Sequence, residues 1–104
     1  MGEPKVVKSR EAQADFNRIY AWIAQDSGEA RAEAVIMRLD AALLRLAKRP
    51  GLGRRRRDFR GDPHGLTVAP WLVVYDPLPD DAGILVLRIV DTRRDVAALL
   101  GKKS

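Results

Sequence analysis

The sequence predicts one α+β domain, residues 1–104: an antiparallel sheet with an N-terminal helical hairpin packed on one face, in the order β-α-α-β-β-β. Three observations predict it. Apolar residues recur at three- and four-residue spacing in two blocks between Ala12 and Leu46, which is the period of a helix face. Residues 71–75 and 84–90 are short apolar runs rich in β-branched residues and bounded by Pro, Gly and Asp, which is the signature of strands. At 104 residues the chain can bury one core and has little surface for a second.

Taken in order, KVVK at residues 5–8 is a short strand candidate after Pro4. Ser9 is placed to cap a helix, with Glu11 near the positive end of its dipole. Ala12, Phe16, Ile19, Tyr20 and Ile23 form that helix's apolar face, and Trp22 falls off the stripe toward an edge. Asp26, Ser27 and Gly28 end it. A second helix follows with Ala32, Val35, Ile36, Leu39, Leu43 and Leu46 as its stripe. Asp26 and Glu29 resemble a capping box at its start. Lys48 and Arg49 suit its C-terminus, and Pro50-Gly51 stop it. So short a turn sets the two helices antiparallel, and their wide stripes need a sheet to cover them.

Residues 51–65 read as a loop, with four glycines and a proline. A strand opens at Gly65 and is interrupted at Ala69-Pro70. Residues 71–75 form the next strand. Pro77, Pro79, Asp80 and Asp81 turn the chain, and the strand from Gly83 pairs back antiparallel. That last strand is apolar on both faces, so it belongs in the middle of the sheet. Residues 96–100 form an apolar tail of one or two helical turns. With helices on one sheet face, alternating residues such as Val73 and Tyr75, or Ile84 and Val86, are expected on the other, as an apolar patch for a partner.

Composition narrows the chemistry. A hydrophobic fraction of 46% argues against disorder. There is no cysteine and only one histidine, so disulfides, thiolate sites and an ordinary zinc site are not expected, nor is any cofactor. No apolar stretch approaches a membrane span, and the first residues lack a signal peptide's apolar region, so a soluble cytoplasmic protein is expected. The formal charge of +5 is concentrated: residues 45–60 hold eight cations against Asp58, a balance of +7 that leaves −2 elsewhere. Such a patch suits an anionic or acidic partner met at one place.

The ordered set of PGLGRR after the helical hairpin, the Gly65-Leu66 pair, LVVY at residues 72–75 and LRIVDTRRDVAALL from Leu87 resembles the ParE toxins of the RelE/ParE toxin–antitoxin superfamily. The resemblance covers nearly the whole chain. It implies a toxin of plasmid or chromosome maintenance that binds DNA gyrase, blocks its religation step, and is neutralised by a ParD-like antitoxin whose C-terminal segment wraps it. Arg94-Asp95 match the family's Arg-Asp pair. Asp91 stands where family members commonly have histidine, and Asp76 where a basic residue is common, which argues against a nucleic-acid backbone gripped at that end.

RelE-type relatives cut mRNA on the ribosome, so a nuclease is the alternative reading, and a non-toxic basic binding module is a third. Acid–base chemistry needs groups tuned to the working pH and held in reach of the substrate. His64 is the only neutral-range titrator and reads as a solvated loop residue. Tyr75 sits in a strand, where packing competes with catalysis. No residue is therefore assigned to catalysis and none to a metal. The candidate residues for gripping the antitoxin or gyrase are Arg54, Arg55, Arg56, Arg57, Arg60, Trp71, Tyr75, Arg88, Arg93 and Arg94. The arginines suit carboxylate or phosphate through their planar fork. Their alternative is a solvated loop. Direct nucleic-acid contact is the weaker reading, because aromatic side chains do not interleave with the arginines. Arg88 is either outward-facing or paired with Asp91 or Asp95.

Overall fold

The structure, a computed structural model, describes residues 2–93. The order is β1 (Lys5–Lys8), α1 (Arg10–Ser27), α2 (Glu29–Lys48), β2 (Arg54–Arg55), β3 (His64–Val68), β4 (Trp71–Pro77) and β5 (Gly83–Asp91), with 3-10 turns at Pro50–Leu52 and Pro79–Asp81. The predicted apolar tail at residues 96–100 lies outside the described residues.

Ser9 caps α1 as its residue type implies: its hydroxyl accepts the Ala12 N–H at 3.0 Å. Gly28, at φ 94°, separates the two helices. The expected capping box is not formed. Asp26 lies inside α1 and accepts the Ser27 hydroxyl at 2.9 Å, while α2 begins at Gly28 with no side-chain cap. Only Glu29 near the dipole end remains of that device.

The strands form one sheet in the order β1-β5-β4-β3-β2. β5 is interior, as its two-sided apolar run predicts. Two features depart from the expected antiparallel four-strand sheet. β1 joins β5 in parallel, from Lys5 opposite Gly83 to Lys8 opposite Val86, so the sheet is mixed. A fifth strand, β2, arises within the predicted loop when Arg54 and Arg55 pair with Gly65 and His64. The helical hairpin between β1 and the rest supplies the long crossover that a parallel pairing requires.

Gly83 is required at the parallel join. Its φ is 128°, and a Cβ there would lie 1.9 Å from the Lys5 carbonyl oxygen. Further along, β5 carries a bulge. Val74 faces Arg88 and Tyr75 faces Val86, which leaves Leu87 as the extra residue. Ile84, Val86 and Ile89 consequently pack with Val73, Tyr75, Phe16, Leu39, Leu43 and Leu46 in the core between sheet and helices. Leu72, Val74, Leu87 and Val90 cluster on the other face. This corrects the sequence expectation. Val73, Tyr75, Ile84 and Val86 face the helices and are fully buried, because the helical hairpin covers that side of the sheet and Leu72, Val74, Leu87 and Val90 take the other.

Candidate functional site

The last turn of α2, the Pro50–Leu52 turn and β2 carry the arginine cluster. Tyr75 fastens this segment to the sheet from beneath. Its hydroxyl donates to the Pro50 carbonyl and accepts the Gly53 N–H at 2.9 Å. Gly53 fits only because it lacks a Cβ, which would lie 2.4 Å from the Tyr75 hydroxyl. Phe59 is buried under the loop, with the Arg56 guanidinium 4.5 Å over its ring. Arg56 also forks onto Asp58 at 3.2 Å, and its backbone N–H meets the Pro63 carbonyl. The loop is thus anchored at Tyr75, Phe59 and Pro63.

The candidate arginines therefore divide. Arg56 is committed inside the loop. Arg55 lies 3.8 Å from Asp62, a long and weak pairing. Arg54, Arg57 and Arg60 are exposed. Tyr75 has no exposed surface, so it supports the loop and is withdrawn from the docking residues. Burial raises its pKa above the ordinary 10.0, against the opposing pull of the Gly53 N–H. That shift keeps the phenol protonated to higher pH, with no free phenolate to take a proton. His64 is the first residue of β3, half-buried with its ring 5.4 Å from that of Tyr75, and its Nδ1 has no hydrogen-bond partner. The expected solvated loop histidine is therefore a strand residue.

A second cluster lies at the other end of the sheet. Trp71, Arg88 and Arg93 line a half-open groove of about 640 Å³ with Arg18, Ile19 and Trp22 of α1. Trp22 is 61% exposed, whereas Trp71 is buried in the groove floor. Arg93 folds back onto Asp91 at 2.9 and 2.7 Å, and this bond raises the Arg93 pKa above its ordinary value. Arg94 lies outside the described residues.

Asp95 lies outside the described residues, and Arg88, its side chain 26% exposed, pairs with an acid of the helix layer. Its Nε and Nη2 donate to Asp15 of α1 at 2.8 and 3.1 Å, and this hydrogen bonding raises the Arg88 pKa. Asp15 is 1% exposed and also accepts Arg18 and the Ile89 N–H, at 3.0 and 2.9 Å. It completes the β5 edge where β1 has ended. Ser9 does the same two residues earlier, its hydroxyl donating to the Leu87 carbonyl at 2.9 Å. The sequence reading missed Asp15. The available signal was an acid on the flank of an apolar helix stripe and a lone arginine inside an apolar strand.

Among the described residues no group of three or more His, Cys, Asp or Glu could hold a metal ion, and no helix is long and apolar enough to cross a membrane. Two surface features stand out: exposed arginines on an anchored loop, and a groove with an exposed tryptophan and cations along its lining.

Residues 6–96 match the family described as the ParE toxin of the type II toxin–antitoxin system, parDE. The chain is 34% identical over 100 residues to Toxin ParE3 of Caulobacter vibrioides, covering 96% of this chain and 98% of that protein. A solved structure described as the chromosomal ParDE TA system from P. aeruginosa superposes with a TM-score of 0.71 at 20% identity, covering 86% of this chain and 96% of that one, which is a likeness of fold. With a family match across most of its length and a relative of this identity, the chain belongs to the ParE toxins of type II toxin–antitoxin systems.

Proposed function

We propose that this protein is a cytoplasmic toxin that works by stoichiometric binding without a reaction of its own, that DNA gyrase is its target, and that a ParD-like antitoxin restrains it. The observation that carries the reading is the fate of the two side chains a nuclease would use. The Tyr75 hydroxyl is engaged by Pro50 and Gly53 beneath the loop, and His64 packs against its ring. Acid–base work needs such groups open to substrate. The outward-facing chemistry is instead that of recognition. Arg54, Arg57 and Arg60 stand on a fastened loop and can each fork onto a carboxylate. Trp22 projects from α1 beside Arg18 and Arg93, and exposed tryptophan with arginine is the usual composition of a strong docking spot.

Expression in bacteria with and without a candidate ParD-like antitoxin tests the proposal. The expected outcome is filamentation with a DNA-damage response, relieved by the antitoxin. Immediate translation arrest with cleaved mRNA would instead mean a nuclease, and healthy growth would mean a binding module without toxicity.

A further inference from the structure

A helix lying on a protein surface ordinarily turns charged residues to water opposite its buried stripe. α2 does not. It buries Ala32, Val35, Leu39, Ala42, Leu43 and Leu46 against the core, yet its opposite side carries Ala30, Ala34, Met37, Ala41 and Leu44, all exposed. Met37 is 70% exposed and Leu44 54%. Their spacing alternates four and three residues, which is the seam of a helix pair, and Lys48 closes it. Alanine at three positions lets a second backbone come close around the Met37 and Leu44 contacts.

The flanks of this seam are sorted by sign. Arg31, Arg38 and Arg45 line one side, and Glu33 and Asp40 the other. That sorting identifies the occupant. When two copies meet with their helices parallel, about a two-fold axis along the seam, the acid flank of each faces the arginine flank of the other. Glu33 then lies opposite the partner's Arg38, and Asp40 opposite the partner's Arg45, each contact made twice. Antiparallel pairing of two copies would set arginine against arginine and acid against acid. Asp40 already meets Lys8 at 3.3 Å, and Arg38 donates to the Ala69 carbonyl at 2.8 Å. Neither contact crosses the seam, and a guanidinium keeps further donors.

We propose that α2 is a self-association surface, on which a second copy of this chain docks its own α2 in parallel. One helix face about 30 Å long buries less than a standard stable interface, so the pair forms only at high concentration. The inference is independent of the proposed gyrase target.

Sedimentation equilibrium of the full chain, from micromolar to millimolar, tests it. The wild type is expected to associate to a dimer. Glu33→Arg with Asp40→Arg, and separately Arg38→Glu with Arg45→Glu, should each raise the dissociation constant at least about tenfold, because attractive pairs become repulsive ones. An equimolar mixture of the two should pair again, as a heterodimer. Met37→Glu, at an exposed site that the fold does not need, should abolish association, with circular dichroism confirming a folded chain. A wild type that stays monomeric throughout would overturn the proposal. So would association indifferent to the charge reversals, or a monomer whose Met37→Glu variant loses only antitoxin binding.

Discussion

Asp15 joins the two layers of this molecule. It is buried, and it accepts hydrogen bonds from Arg88, Arg18 and the Ile89 backbone. Replacing it with Asn keeps an acceptor for Ile89 and removes the charge facing Arg88. The expected cost is about 3 kcal/mol of unfolding free energy, read by denaturant titration, because a cation is left without its partner in a largely enclosed site. No sequence rule for neighbouring charges finds this pair, since its members are 73 positions apart. Tyr75 is the complementary case. The sequence marked it as a strand aromatic; only the tertiary structure shows its hydroxyl beneath the arginine loop. Tyr75→Phe should cost about 2 kcal/mol, since the Gly53 N–H and the Pro50 carbonyl lose their partner. Its pH dependence has a definite sign. Burial raises the folded pKa above the ordinary 10.0, so the folded state holds the phenolic proton more tightly than the unfolded chain. That contribution is complete below about pH 10 and is lost as pH climbs through the folded value. Thermal melts at alkaline pH should therefore fall less steeply in Tyr75→Phe than in the wild type.

At the scale of elements, the helices and the antiparallel pairing of β4 with an interior β5 were legible, and the rest of the sheet's pairing was not. Ser9, the two apolar stripes, Gly28 and Pro50 are local signals, and each acts locally in the structure. Strand partners are chosen by contacts far apart in sequence. KVVK shows a strand but not that it will lie parallel to β5, and Leu87 gives no sign that it will be the extra residue of a bulge. Past that residue the alternation of β5 shifts, so Ile89 joins Ile84 and Val86 on the helix side, and the patch expected at Val73, Tyr75, Ile84 and Val86 is core because the helices cover that face. Gly83 shows how tightly the parallel join is built. Gly83→Ala should cost at least about 3 kcal/mol, because the new methyl meets the Lys5 backbone and φ is positive. Hydrogen exchange should place the loss first in β1, with amides of Val6 and Val7 exchanging faster while those of β4 stay protected.

Across the whole molecule, charge was the most informative sequence feature, and the structure refined it. The +7 segment is not a floppy basic loop. Tyr75, Phe59 and Gly53 fasten it, and Arg54, Arg57 and Arg60 are left outward. Changing those three to Gln should alter stability by no more than about 0.5 kcal/mol, as for surface positions generally. It should nevertheless weaken antitoxin binding and flatten its salt dependence, measured by calorimetry at two ionic strengths. The central claim is that this ParE toxin acts by holding a protein rather than by turning over a substrate. The most direct measurement titrates purified protein into a gyrase supercoiling reaction and, in parallel, into ribosomes translating a defined mRNA. Inhibition of gyrase that saturates near one toxin per target site, with the mRNA intact, is the expected result. Cleavage of many mRNA molecules per toxin, abolished by Tyr75→Phe or by replacing His64, would contradict it.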